Sequence, residues 1–166
     1  MSDGAAALVV AHEDIARDLR RAIRFRATTH ANDVLALSRR DPHAFDGVRR
    51  AWAGSLETAG MTLDDLDFVE THDCFTIAEL LQYEAMGLAE PGKGGQVIRE
   101  GITSRDGRLP VTRSGGLKSK GHPIGATGVS MHVMAAMQLA GEAPEGMAAK
   151  KAEVAGVFNM GGAAVA

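Results

Sequence analysis

The chain has one cysteine, Cys74, in 166 residues. A lone thiol closes no internal disulfide, which points to a reducing compartment. No apolar run approaches the ~20 residues that a membrane-spanning helix needs. The opening "MSDGAAALVVAHED" carries no basic leader, and the closing "GGAAVA" is not a peroxisomal Ser-Lys-Leu ending. The expectation is therefore a cytoplasmic protein with no membrane contact. Strong charge is missing too. A net charge of -3 argues against a nucleic-acid partner, which selects a basic excess. The arginine pairs at 20–21, 39–40 and 49–50 are short and scattered, as on solvated faces. Cys-x-x-Cys and His-Glu-x-x-His are absent, so no metal site is expected. There is no Gly-x-Gly-x-x-Gly after a strand, no Walker loop, no tandem repeat and no low-complexity stretch, and no cofactor is expected.

What is present is a globular α/β pattern. "AAALVVA" (Ala5 to Ala11) is short, apolar and continuous, like a buried strand. "HEDIARDLRR" places Ile15 and Leu19 at helical spacing. "AIRFRATTH" alternates, with Ile23 and Phe25 opposite Arg24 and Arg26, like a strand with one wet face. Residues 31–42 suggest a loop with a helical turn. Phe45, Val48, Trp52, Leu56 and Ala59 then follow one helical face, with Gly60 as a stop. "LDFVETHD" predicts a strand, "TIAELLQYEAMGL" a helix ending near Gly87, and "GKGGQ" a loop. Asp106-Gly107 signals a hairpin. "VSMHVMAAMQLAG" predicts a helix with a broad apolar surface. "AEVAGVFNM" and "GAAVA" predict two strands separated by a Gly161-Gly162 turn. The order is close to βαβαβαββ, which favours a mostly parallel sheet with helices on both faces.

Three stretches could carry chemistry. In "GGLKSKGHPIGATG" (Gly115 to Gly128), a crowd of glycines surrounds His122 and Pro123 just ahead of a helix. That geometry suits a phosphate or a developing oxyanion; it also suits a plain turn with a histidine filling a gap. In "THDCF", His72 and Cys74 sit two apart at a strand end, where α/β ligands collect. An extended backbone would point both the same way. A cysteine near a helix N-terminus can have a lowered pKa and act as acid and base; it can equally be a small buried hydrophobe. In "FNMGGAA", the amides of Gly161 and Gly162 could donate to an oxyanion, or form only a turn. His12, His30 and His43 look like surface residues, and His132 like packing. Glu70 reads as a strand-end charge and Asp73 as a helix N-cap.

Taken together, "SDGAAALVVAHED", "HDCFTIAELLQYEAMGL", "GGLKSKGHPIGATG" and "NMGGAA" resemble the C-terminal half of a thiolase over nearly the whole chain. The His-Asp-Cys-Phe tetrad is similar to the sterol-carrier-protein-type and archaeal branch, where most thiolases have Asn-Glu-Ala-Phe. The resemblance implies one domain over residues 1–166, a thiolase-fold half with a five-stranded sheet. It implies acyltransferase chemistry on acyl-CoA and CoA: thiolytic cleavage of 3-oxoacyl-CoA, or Claisen condensation. By position, His122 corresponds to the histidine that activates a nucleophilic cysteine and binds the thioester oxyanion. His72 corresponds to the residue completing an oxyanion site, and Gly161 to the glycine donating its amide to the other. The usual Cys-x-Gly motif here reads Asn159-Met160-Gly161, so the acid/base duty falls to Cys74. The nucleophilic cysteine belongs to an N-terminal half that these residues do not contain. The expectation is an incomplete centre, with His122, His72, Cys74 and Gly161 lining one pocket. Its partners would be an N-terminal thiolase half or further copies of the chain, with self-association through exposed apolar surface. The alternative is a thiolase-like lobe acting, as a structural subunit or retro-aldolase component, with an acyl-CoA-binding barrel partner.

Overall fold

The computed structural model describes residues 2–162 and 164. Its centre is a short, wholly buried strand, β1 (Phe68–Thr71), with β2 (Ala155–Phe158) beside it in parallel. The register pairs Phe68 with Ala155, Val69 with Gly156, Glu70 with Val157 and Thr71 with Phe158. On the other edge of β1, Val69 makes a single parallel bridge to Val111, its N–H donating to Pro110 O at 3.0 Å.

Strand alternation sorts the two faces. Val69 and Phe158 join a core with Trp52, Tyr83, Val97 and Leu109. Trp52 comes from α2 (Asp46–Ala59) and meets the Phe158 ring at 4.8 Å. The opposite face of the strands packs against α6 (Thr127–Leu139), which buries Met131 and Ala135. Helices therefore cover both faces of a parallel sheet, as the pattern predicted. Helix α3 (Thr76–Ala85) follows β1 and packs on α4 (Gly94–Arg99), which lies where a loop was expected. A further short helix, α5 (Gly116–Lys120), sits inside the glycine-rich stretch. No helix among the described residues is long and apolar enough to cross a membrane.

The sheet is smaller than the five strands expected: two strands and one bridge among the described residues. Residues 5–11 and 22–30 form no ladder. Val9 is 94% exposed and Phe25 half exposed, and the helix predicted after residue 12 is only the one turn α1 (Glu13–Ala16). Alternation marks which side chains favour burial, but a strand exists only where a neighbour accepts its N–H groups. The Asp106-Gly107 turn does reverse the chain, with Leu109 N donating to Ile102 O at 3.0 Å, though without named strands. The strand predicted at residues 162–166 lies largely outside the described residues.

Candidate active site

The end of β1 leads into the first of the two candidate histidines. His72 is 8% exposed, and its backbone is fixed on two sides. Its N–H is within bonding distance of Phe158 O at 3.1 Å and of Gln82 Oε1 at 3.0 Å, and its carbonyl accepts from Gln82 Nε2 at 2.7 Å. Gln82 is a completely buried amide on α3, and Nε2 also reaches Ala78 O at 3.0 Å. The ring nitrogen Nδ1 lies 2.6 Å from Asn159 Oδ1. Burial disfavours the charged imidazole and holds its pKa below the ordinary 6.5. The Asn159 hydrogen bond opposes this, and neighbouring His122 reinforces it.

His122 sits between α5 and α6. Its Nδ1 is 2.7 Å from Thr127 Oγ1, and that hydroxyl donates to Pro123 O at 3.1 Å. A hydroxyl has one proton. With that proton on Pro123 O, Thr127 must accept from His122 Nδ1–H, which leaves Nε2 with a free lone pair. The two imidazoles meet edge to face, with centroids 4.9 Å apart and planes at 88°. The structure thus brings together the two histidines named from the sequence.

Acidic residues hold the loop that carries His122. Asp73 Oδ1 accepts from Leu117 N at 2.6 Å, and Lys118 Nζ lies 3.9 Å from Oδ2. Asp73 therefore caps α5, not the helix that follows it as predicted; α3 begins at Thr76, and its N-cap residue Phe75 makes no side-chain cap bond. The approach is so close that a Cβ on Gly116, already at φ +69, would fall 2.2 Å from Asp73 Oδ2. Glu70, read as a strand-end charge, does lie near the end of β1, but it is buried at 1% exposure. It accepts from Ser114 N at 3.1 Å and from Ser114 Oγ at 2.5 Å. Lys120 Nζ donates to the same Ser114 oxygen at 2.8 Å and lies 3.9 Å from Glu70. Burial pushes the Glu70 carboxyl above its ordinary pKa.

Cys74 and Gly161 are placed differently. Cys74 is half-buried and packs against the hydrophobic core. Burial raises its thiol pKa, the opposite of the lowering expected beside a helix N-terminus. Strand β1 has already ended at Thr71 and the chain bends at Cys74, so the extended backbone on which the shared direction was expected stops short of both residues. Gly161 is exposed beyond β2. The ring contact and hydrogen bonds that link His72, His122, Asn159 and Thr127 include neither Cys74 nor Gly161. A cavity of about 380 Å³ opens elsewhere, between Ala6, Leu8, Phe25 and His132. His132 behaves as packing: Nδ1 donates to Gly128 O at 2.7 Å and the ring faces Phe25. Gln82 and Thr127 escaped the sequence reading, and Asn159 entered it only as the residue replacing the motif cysteine; Gln82 did leave a signal, an amide inside the apolar run "LLQY".

Comparison with known proteins adds an independent line. A family model described as thiolase C-terminal domain-like matches residues 29–166. The acetyl-CoA acetyltransferase of Methanothermobacter thermautotrophicus is 39% identical over 164 residues, covering 98% of this chain and 43% of that protein. Sterol carrier protein 2 of Oryctolagus cuniculus is 36% identical, covering 99% of this chain and 31% of its own length. The benzoylsuccinyl-CoA thiolase subunit BbsB of Thauera aromatica is 34% identical, covering 87% and 38%. Among solved structures, the Ltp2-ChsH2(DUF35) aldolase shares the fold, with a TM-score of 0.55 at 21% identity over 59% of this chain and 25% of that one. The chain thus spans less than half the length of these relatives.

Proposed function

Because the chain belongs to the thiolase C-terminal domain family, we propose that it supplies the histidine-bearing part of an acyl-CoA acyltransferase centre. The nucleophilic cysteine comes from an N-terminal thiolase half, since Cys74 is the only cysteine in these residues. His122 Nε2 takes the proton from that thiol. A free thiol of pKa ~8.5 is only a few per cent thiolate at neutral pH and needs such a base. The thiolate attacks the 3-oxo carbon of a 3-oxoacyl-CoA. The bond between C2 and C3 breaks, and its electron pair leaves as the enolate of acetyl-CoA. Cys74 gives that enolate a proton and regains one from incoming CoA–SH, whose thiolate carries off the acyl group. His72 and the Gly161 amide stabilise the oxyanions, each such donor being worth about 3 kcal/mol. The reverse sequence is Claisen condensation.

One observation carries this reading: the edge-to-face His72–His122 pair, with His122 Nδ1 tied to Thr127. The purified chain alone is expected to leave acetoacetyl-CoA uncleaved, and to gain thiolysis when an N-terminal thiolase half is added. No turnover after that addition, where an intact relative does cleave, overturns the reading. The raised pKa and core packing of Cys74 favour a second reading. In it the chain is a non-thiolytic, thiolase-like lobe working with an acyl-CoA-binding partner, as a structural subunit or retro-aldolase component. Cys74→Ala separates the two: lost thiolysis in the reconstituted enzyme supports the first, unchanged thiolysis the second.

A further inference from the structure

We propose that Asn159 is a positioning residue: it fixes which ring nitrogen of His72 carries the proton, and so which nitrogen is left to react. This deepens the acyl-transfer reading above and rests on it for its catalytic meaning, but not for its test. The placement follows from the strand register. Thr71 pairs with Phe158, so His72 and Asn159 are opposite one another just past the ladder and on the same face. The backbone bond from His72 N to Phe158 O, at 3.1 Å, holds the two chains together at that point.

The amide oxygen of Asn159 lies 2.6 Å from His72 Nδ1. A carbonyl oxygen only accepts, so Nδ1 carries the hydrogen and Nε2 the lone pair. The other end of the amide is confined. A Cβ on Gly128, in the first turn of α6, would come within 2.9 Å of Asn159 Nδ2, so glycine there makes room for this side chain. Burial disfavours the charged form of His72, and a neutral imidazole has one N–H, so its location matters. His72 and His122 then both offer Nε2 lone pairs while both Nδ1–H groups are occupied. With Nε2 as an acceptor, His72 can hold one O–H of a bound water whose other O–H serves an oxyanion, while His122 remains the base. Asn159 stands where the family motif has cysteine; in this chain the position serves the imidazole.

The test is ring-¹⁵N histidine NMR on the full 166-residue chain at pH 7.5, with His72 assigned by its loss in His72→Gln. The expected wild-type pattern is a protonated Nδ1 and an unprotonated Nε2. Asn159→Ala is expected to lose that pattern. Asn159→Asp is expected to keep it and to raise the His72 pKa by about 1 unit or more, as an adjacent opposite charge does. If Asn159→Ala fails to fold, Gly128→Ala, which crowds Asn159, is expected to shift the His72 signals instead. A wild-type His72 protonated at Nε2 overturns the proposal. So does an unchanged tautomer in Asn159→Ala or, where that variant does not fold, unmoved His72 signals in Gly128→Ala. None of these readouts requires turnover, so their failure is distinct from failed thiolysis.

Discussion

Replacing Gln82 with methionine keeps the side chain's bulk and removes its hydrogen bonds. In the native protein Gln82 Nε2 donates to the carbonyl of His72 at 2.7 Å, deep in the interior. The N–H of His72 retains Phe158 O as acceptor when Gln82 is lost. The Ala78 carbonyl sits within α3, where helix bonding continues. The loss therefore concentrates on one buried carbonyl left unpaired, which costs about 1–3 kcal/mol. For a chain of this size, each kcal/mol moves Tm by roughly 2–4 °C, so a loss near 2 kcal/mol lowers it by about 4–8 °C. Gln82→Glu is expected to be worse at pH 7.5, because a carboxylate would face the carbonyls of His72 and Ala78. It should recover as pH falls, since a carboxyl that burial holds above its ordinary pKa regains a donor hydrogen on protonation. Differential scanning calorimetry of the three proteins at pH 7.5 and 5.5 checks this. A Gln82→Met Tm within 1 °C of wild type, or Gln82→Glu more stable than Gln82→Met at pH 7.5, refutes the role given to Gln82.

Two further outcomes are expected. Gly116→Ala places a methyl 2.2 Å from Asp73 Oδ2 at a positive φ, so it should destabilise by about 2 kcal/mol or more through steric displacement and backbone strain; chemical denaturation showing a loss below 0.5 kcal/mol contradicts it. His72 titrates below 6.5 when folded, so the unfolded chain binds more protons as pH drops below that value, and stability falls with it. The Tm of His72→Gln should accordingly drop less than wild type between pH 7.5 and 5.5, and parallel profiles would exclude the effect.

Elements with a full local pattern were legible in the sequence. The spacing of Phe45, Val48, Trp52 and Leu56 marks α2, and the apolar runs around Phe68 and Phe158 mark β1 and β2. So were His72 and His122, because the residues crowded around each announce a special backbone. Elements whose stability comes from afar were not. Helix α5 begins in glycine, which disfavours helices, and it forms where Asp73, 44 residues before Leu117, accepts from its first turn. A still larger separation hides the contact of Asn159 with His72, 87 residues apart. The strands expected at residues 5–11 and 22–30 failed for a related reason: the pattern of apolar residues says nothing about which backbone will stand beside them.

The pairing of β1 with β2 covers only four residues on each side, yet it settles which side chain stands opposite Asn159. Shifted by a single position, the same two segments would turn Thr71 or Asp73 toward Asn159 and swing the imidazole to the opposite side of the sheet. A hydroxyl or an acid would then stand opposite Asn159 in place of the imidazole, with every residue of the sequence unchanged.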